Sequence, residues 1–394
     1  MAPSEGVERI LRRAAPHELV DKVRDVLSRH YGATSVTLLM ADYALARLQP
    51  VTARAADAAE SVPVHGSAPG RAFGAQEAHV VTLGNEVTVH LPVSVRGDRH
   101  AVLSAAFPAD VYGPGILGDL QEVADALAHE LVVADRDTDL FLRARRAARL
   151  TLAAEIQWQL LPGRSCSRPE YDLGGQLEPA YAIFGDCFDW SESSEDLVLT
   201  VNNGMGEGID AALLTHLTVS ALRNARRAGL TLADQAALAD QAVYGQHRGD
   251  QYLAMLLLRF CLDTGEVEVI DAGSPRIWRL RDGVVEAVEL EAQLPLGMFE
   301  DTVYASQRLR VLPGDRLFFL SDGVYDAVSP AGEPYGLRAL IRALMSTRLL
   351  PPSQVPQAVL KELAAHRGDL DASDDALVVC LDWHGRDGRE PGGA

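Results

Sequence analysis

Residues 184 to 214 constrain the fold of this chain more than any other stretch. Two apolar segments predict strands joined by a short acidic turn, and a loop with three glycines follows at 204 to 208. Asp186 and Asp189 lie near one end of the first predicted strand. Glycine lets the backbone adopt positive φ or approach a ligand closely. Carboxylates beside such a loop are typical of a site where a hard cation handles phosphate.

Two later segments place further carboxylates at the ends of predicted strands. Asp322 follows the apolar run at 316 to 320, and Asp374 and Asp375 precede the last apolar strand. A single aspartate at a strand end is usually a turn or cap residue. Three acid-bearing strand ends, far apart in sequence, instead favour a shared dinuclear Mg²⁺ or Mn²⁺ site.

Residues 155 to 383 resemble the metal-dependent PPM (PP2C-type) serine/threonine phosphatases, with the closer similarity to the bacterial SpoIIE- and RsbU-like branch. Four motifs in the order and spacing of that branch carry the resemblance. They are Glu-Ile-Gln-Trp-Gln-Leu-Leu-Pro at 155 to 162, Phe-Gly-Asp-Cys-Phe-Asp at 184 to 189, Ser-Asp-Gly-Val-Tyr-Asp at 321 to 326, and Asp-Asp-Ala-Leu-Val at 374 to 378.

The resemblance implies an α+β fold for residues 166 to 385, a PP2C-like α-β-β-α sandwich. The predicted helices and mainly antiparallel strands favour the same architecture, because each sheet must cover its second face with helices. The activity implied is hydrolysis of phosphoserine or phosphothreonine, in which water activated by two metal ions attacks the phosphorus.

The resemblance also implies roles for individual residues. Asp322 and Asp374 correspond to ligands of one Mn²⁺ or Mg²⁺ ion, and Asp186 to a ligand or a water-mediated contact. Gly204 would offer its backbone carbonyl, and Asn203 stands where the family has an acid that bridges both metals. Asp186, Asn203, Asp322 and Asp374 are therefore the predicted catalytic set. Asp189, Asp375 and Glu207 are predicted to lie next to these ligands and to position them without binding metal themselves.

Two positions depart from the family pattern. The family's Asp-x-x-Gly-His-Gly loop begins with Asn203 here, and Ser274 stands where a histidine is usual. Two dications held close together repel each other, and a bridging carboxylate offsets that repulsion. Asn203 offers only a neutral carbonyl oxygen, although Glu207 is close enough in sequence to restore part of the lost charge. Ser274 is interpreted as a minor change.

The asparagine leaves two functions open. One is an active phosphatase, with weak activity or a shifted metal site. The other is a catalytically degenerate pseudophosphatase that binds a phosphoprotein partner or relays a signal from the N-terminal domain. The family relationship implies a phosphoprotein partner such as an anti-sigma-factor antagonist in a partner-switching circuit.

Residues 1 to 132 are predicted as a separate domain. An amphipathic helix at 17 to 31, several strands and a closing helix at 117 to 133 follow in an order that resembles a GAF domain. The short glycine-containing segment at 70 to 73 is the best local similarity. Such domains sense small molecules or dimerise, and both possibilities stay open for this segment.

Residues 133 to 165 are predicted as a helical linker. Charged residues there alternate with an apolar stripe that runs from Leu140 to Leu160. The stripe favours either a coiled coil in a homodimer or a helix packed on its own two domains. The glycine-rich segment at 386 to 394 is predicted as a disordered tail.

The composition limits the classes of partner. The net charge of −19 argues against nucleic acid and anionic membranes. We find no secretory signal at the N-terminus and no apolar window of the ~18 residues that span a bilayer, so a cytoplasmic protein is expected. Cys187 does not begin the Cys-x5-Arg loop of cysteine phosphatases, so a cysteine phosphatase is not expected.

Overall fold

The computed structural model describes residues 3–52, 60–113, 115–178, 185–368, 370 and 374–386. The chain divides into two compact units, Met1–Arg149 and Leu150–Ala394. Phe184, at the start of one predicted motif, and residues 387–394 of the predicted tail lie outside the described residues. In the described part of the chain, no helix combines the length and the apolar character needed to cross a bilayer.

The first unit begins and ends with helices that enclose six strands. In chain order its elements are α1 (Pro3–Arg13), a 3₁₀ turn (Pro16–Glu18), α2 (Leu19–Tyr31), β1 (Ser35–Ala41), β2 (Arg47–Pro50), β3 (Val62–Pro63), α3 (Ala68–Ala75), β4 (His79–Leu83), β5 (Glu86–Val95), β6 (Asp98–Pro108), α4 (Ile116–Ala134) and α5 (Leu140–Ala144).

The six strands form one antiparallel sheet in the order β3-β2-β1-β6-β5-β4. Side chains alternate between its faces. On one face Leu103 and Phe107 belong to a core shared with α1, α2 and α4. On the other face Val102 packs with Phe73 of α3. The sheet therefore has helices on both faces, and the resemblance to a GAF domain stays a prediction.

The predicted linker is not one continuous helix, and this part of the prediction is wrong. α5 ends at Ala144, and the next helix begins only at Leu152. The break has two causes. Leu140 and Phe141 are buried in the core of the first unit, and the hydroxyl of Thr151 accepts a hydrogen bond from the Ala154 amide, which starts a new helix.

The second unit contains two sheets and six helices in its described part. Its elements are α6 (Leu152–Leu160), β7 (Ser165–Ser167), β8 (Tyr171–Glu178), β9 (Cys187–Glu192), β10 (Asp196–Gly204), α7 (Gly208–Arg227), α8 (Leu232–His247), β11 (Leu253–Cys261), β12 (Glu266–Ala272), β13 (Arg276–Arg281), β14 (Val284–Ala287), β15 (Gln307–Arg310), β16 (Arg316–Leu320), α9 (Asp322–Tyr325), α10 (Gly336–Ser346), α11 (Val355–Arg367) and β17 (Ala376–Trp383).

The two sheets of this unit are antiparallel and pack face to face. One has the order β15-β12-β11-β10-β9, and the other β14-β13-β16-β17-β8-β7. Helices α7 and α8 cover the outer face of the first sheet, and α10 and α11 cover that of the second. The layers therefore follow in the order α-β-β-α.

Aromatic side chains fill the space between the sheets. The rings of Phe260 and Trp383, one from each sheet, stack with centroids 6.0 Å apart. The ring of Phe188 occupies the space that a side chain at Gly175 would need, since a Cβ there would lie 2.7 Å from the ring. This core fixes the position of the strand ends of one sheet relative to those of the other. A site built from both sheets requires such a fixed position.

Candidate metal centre

The two sheets are joined at one end of the sandwich by the side chain of Asp375. This residue directly precedes β17 in the second sheet, while Gly185 and Asp186 directly precede β9 in the first. The amides of Gly185 and Asp186 donate to Oδ2 of Asp375 over 2.9 and 3.1 Å. Ser321, at the end of β16, accepts from the Leu377 amide over 2.9 Å. Acidic segments from three strand ends therefore meet at one place.

Four carboxylates crowd together at this place. Asp186 is 1% exposed, and its Oδ2 has no hydrogen-bond partner among the described residues. Burial raises the pKa of Asp186 well above its usual value, and the neighbouring Asp375 is the second cause of the rise. Asp374 and Asp322 make smaller contributions in the same direction. Burial and the nearby Asp322 also raise the pKa of Asp374. Like charges in a poorly hydrated place disfavour ionisation.

This cluster fits a divalent cation. A dication among buried carboxylates reverses the local electrostatics, because it stabilises the charged form of each acid. Hard cations such as Mg²⁺ and Mn²⁺ prefer carboxylate and carbonyl oxygens, which are the donors present here. No set of three or more His, Cys, Asp or Glu side chains within the described ranges has the spacing of a preformed metal site. A cation would therefore draw these carboxylates together as it binds.

The raised pKa of Asp186 predicts how stability changes with pH. The folded protein holds the Asp186 proton more tightly than the unfolded chain does. The contribution of Asp186 to the free energy of unfolding is therefore most favourable below the usual carboxyl pKa. That contribution is lost as pH rises toward the raised value. Without metal, Asp186→Asn should therefore gain stability relative to the wild type as pH rises from about 4 to about 8.

Urea unfolding of both proteins in EDTA across this pH range measures the difference. Adding Mn²⁺ should stabilise the wild type more at the upper end of the range, because the cation and protons compete for the same oxygens. Two stability curves that stay parallel from end to end would contradict the assignment of Asp186 to a crowded carboxylate cluster.

Glycines allow the backbones around the cluster to touch. A Cβ on Gly204 would lie 2.5 Å from the carbonyl oxygen of Gly185, and one on Gly323 would lie 1.9 Å from that of Asp375. Gly185 has a φ of 122°, in the region that favours glycine. The hydroxyl of Thr215 on α7 donates to the Gly185 carbonyl over 2.6 Å. The glycine loop, the start of β9 and α9 are therefore packed directly against their neighbours.

The two positions that depart from the family pattern contact each other. Nδ2 of Asn203 donates to the Ser274 hydroxyl over 3.3 Å, and this hydroxyl lies 2.8 Å from that of Tyr325 on α9. The Arg276 guanidinium lies 4.2 Å above the Tyr325 ring. Because Nδ2 is used in this contact, Oδ1 is the Asn203 atom that remains for a cation. A chain of neutral groups thus links β10 to the helix that begins with Asp322.

Asp189 lies in an ionic network outside the carboxylate cluster. It is 3% exposed, and it pairs with Arg223 over 2.8 Å and with Arg226 over 3.1 Å. Arg223 also donates to the carbonyl of Leu160, the last residue of α6. Asp189 thereby fixes α7 and the end of α6 to β9. Glu207, the third predicted supporting residue after Asp189 and Asp375, is exposed and precedes the first turn of α7.

Several residues that hold this site together were not predicted as site residues from the sequence. Gln157 of α6 is fully buried, and its Nε2 donates to the backbone carbonyl of Asp186. Its position inside the first of the four motifs was the signal that could have identified it. Ser321 and Tyr325 carried the same signal, because they lie inside the third motif, whereas Thr215 lies outside all four motifs and acts through a contact with a distant part of the chain.

A cavity of about 420 Å³ opens beside the acidic strand ends. Its walls combine two of the predicted metal ligands with the last turn of α11. The described lining residues are Asp322, Gly323, Asp326, Ala327, Val328, Arg367, Leu370 and Asp374. The volume lies within the range of about 300–1,000 Å³ that is usual for ligand-binding clefts.

Comparison with known proteins agrees with this architecture. The family model described as Stage II sporulation protein E (SpoIIE) matches residues 193–384. Protein IcfG of Synechocystis is 20% identical over 256 residues, which are 58% of this chain and 40% of IcfG. Phosphoserine phosphatase RsbU of Bacillus subtilis is 20% identical over 261 residues, which are 66% of this chain and 77% of RsbU.

Among solved structures, the SiaA-PP2C domain of Pseudomonas aeruginosa is similar with a TM-score of 0.49 and 20% identity, covering 59% of this chain and 93% of that domain. The family match and the similarity to RsbU, a named phosphoserine phosphatase, indicate that the second unit carries a PP2C-type phosphatase domain. More narrowly, residues 193–384, just under half of the chain, match the SpoIIE family model. The chain spans less than half of the length of IcfG, the first of these relatives.

Proposed function

We propose that this protein is a metal-dependent protein serine/threonine phosphatase that acts on phosphoserine or phosphothreonine of a regulatory protein. The observation that carries the proposal is the cluster of two buried acids, Asp186 and Asp375, with two half-buried acids, Asp322 and Asp374, at the ends of strands from both sheets. Two of these acids also line the adjacent cavity. The similarity to RsbU, a named phosphoserine phosphatase, supports the choice of substrate.

Each residue of the cluster has a proposed task. Asp186, Asp322 and Asp374 would hold Mn²⁺ or Mg²⁺, with the Gly204 carbonyl and Asn203 Oδ1 as neutral donors. Bound dications would supply the Lewis acidity that activates water and offsets charge on the transferring phosphoryl group. Asp375 holds the backbone at 185 and 186 in place, so that the carboxylate of Asp186 stays aimed at the cluster.

Phosphate release from phosphoserine peptides tests the proposal. With Mn²⁺, the wild type should release phosphate, and EDTA should stop the release. Asp322→Asn should lower the rate by about 100-fold or more, because it removes a charged metal ligand at nearly constant size. Asp282→Asn makes the same chemical change in an exposed hairpin turn and should have no effect. Equal rates for the two variants would contradict the proposed site.

The second candidate function is a pseudophosphatase that binds a phosphoprotein and relays a signal. Asn203, which replaces the bridging acid, is the observation that favours it. A wild-type protein that binds a phosphoserine peptide but releases no phosphate with Mn²⁺ or Mg²⁺ would support this alternative. In either case we propose a partner-switching circuit, with an anti-sigma-factor antagonist as the phosphoprotein and the first unit as the regulatory part.

We also propose a homodimer, formed through the first unit. Leu140 and Leu160, the two ends of the apolar stripe that suggested a coiled coil, are buried, whereas Leu152 between them is 60% exposed. The edge strand β4 of the first unit also exposes Val80 and Leu83, and an exposed apolar edge strand is a surface for pairing with another chain.

Light scattering on the full chain at tens of micromolar should give twice the mass of one chain. Leu83→Lys should lower the fraction of dimer, because it places a charge on the edge of the sheet. A monomer under these conditions would contradict the homodimer.

A further inference from the structure

The cavity beside the carboxylate cluster raises an electrostatic problem for a phosphorylated substrate. Asp322, Asp326 and Asp374 line it, and three carboxylates repel a phosphate dianion. Bound metal ions would neutralise part of this charge. A cationic side chain on the cavity wall would add a second attraction for the phosphate.

Arg367 is the one basic side chain among the described residues that line this cavity. It is the last residue of α11, and Gly368 ends the helix directly after it. Arg367 is half-buried, and within the described ranges its guanidinium makes no hydrogen bond or ion pair. Burial raises the pKa of Glu178, and the charge of Arg367 offsets part of that rise. The guanidinium therefore lies near the end of β8, at the same end of the sandwich as the acidic cluster.

We propose that Arg367 binds the phosphoryl group of the substrate and positions it against the carboxylate cluster. This inference rests on the proposed function and adds a substrate-binding residue to it. A guanidinium is planar and always charged, and its parallel N–H groups match two phosphate oxygens at once. It is also more weakly hydrated than an ammonium group, so it tolerates a half-buried wall. Arg367 lies outside the four sequence motifs.

Kinetics on the full chain test the proposal first. Arg367→Gln should raise KM for a phosphoserine peptide by about tenfold or more and change kcat less, because the arginine holds substrate without taking part in bond breaking. Arg367→Lys should recover part of the loss, since it keeps the charge but not the paired N–H groups. Lys361→Gln removes one charge from an exposed position on the same helix and should behave as the wild type.

Two further measurements separate substrate binding from a structural role. Mn²⁺ affinity from titration calorimetry and the unfolding temperature should be nearly unchanged in Arg367→Gln. If both fall together with activity, Arg367 supports the fold or the metal ligands, and the proposal is wrong. It is also wrong if KM is unchanged while the wild type is active.

Binding of inorganic phosphate in the presence of Mn²⁺ provides a readout that does not depend on turnover. The wild type and Lys361→Gln should bind phosphate with equal affinity, and Arg367→Gln should bind it about tenfold more weakly. A wild type that releases no phosphate from any peptide contradicts the proposed enzyme. A selective loss of phosphate binding in Arg367→Gln still supports the arginine, and equal binding by all three proteins overturns it.

Discussion

Replacing Asn203 with aspartate is expected to raise both Mn²⁺ affinity and turnover of p-nitrophenyl phosphate by at least ~10-fold. A carboxylate between two dications offsets their mutual repulsion, whereas a neutral amide does not. Asparagine and aspartate have nearly the same shape, so the glycine loop does not need to move.

The surroundings of Asn203 can accept the change. Ser274 now accepts a hydrogen bond from Nδ2, and a hydroxyl can rotate to donate to a carboxylate instead. The hydroxyl of Tyr325, 2.8 Å away, can then donate to Ser274. The chain of contacts therefore survives the substitution with the hydrogen bond between residues 203 and 274 reversed, and only the charge at residue 203 changes.

Titration calorimetry with Mn²⁺ and steady-state hydrolysis of p-nitrophenyl phosphate measure the two effects. Asn224→Asp is the matched control, because it makes the same chemical change at an exposed position of α7. Two results would contradict the expectation. A wild type that hydrolyses phosphoserine peptides at rates typical of enzymes would mean that Asn203 is harmless. A variant that recovers nothing would mean that the site has also changed elsewhere, with Ser274 and the loop around Glu207 as the first positions to test.

Gly323→Ala is expected to lower Mn²⁺ affinity and phosphatase turnover by about 100-fold and to destabilise the fold by about 2–4 kcal/mol. A Cβ at Gly323 would lie 1.9 Å from the carbonyl oxygen of Asp375 and 2.8 Å from its carbonyl carbon. Backbone atoms at the start of β17 cannot rotate away as a flexible side chain does. The methyl group must therefore push α9, which begins with Asp322, away from the segment that carries Asp374.

Chemical denaturation and Mn²⁺ titration of the same protein samples measure both parts of this expectation. Gly245→Ala is the control, because Gly245 lies inside α8 and no described atom lies within 4 Å of its added Cβ. Alanine favours the helix there by about 0.5–1 kcal/mol, so this variant should be slightly more stable and equally active. Gly323→Ala with normal Mn²⁺ affinity would show that the spacing between α9 and β17 does not control the site.

Much of the site could be predicted because its signals are local. An apolar run followed by an aspartate and a glycine predicts a strand end and a turn wherever it occurs, and this pattern was enough to place Asp322 at a strand end. The layers of the second unit were equally accessible, since the periodicity of each segment indicates helix or strand. The single helix predicted across the linker failed because Phe141 is buried in the first unit, a tertiary contact that a periodic pattern does not contain.

The face that each acid presents depends on the tertiary structure. Asp186 directly precedes β9, whereas Asp189 lies within the strand on the side covered by α7, where two arginines bind it. Side chains alternate between faces along a strand, so the residue at which the strand begins determines which acid reaches the cluster. A motif spacing of three residues does not specify that starting point.

The chemical groups of the site and their order along the chain follow from the amino-acid sequence. Which of these groups meet follows from the folded chain, because the contacts that build the site join distant segments. Gly185 and Asp375, whose hydrogen bond ties the two sheets together, are 190 positions apart. Arg367 lies in a helix with no motif of its own, and the role that we propose for it depends on α11 ending beside the cavity lined by Asp322 and Asp374.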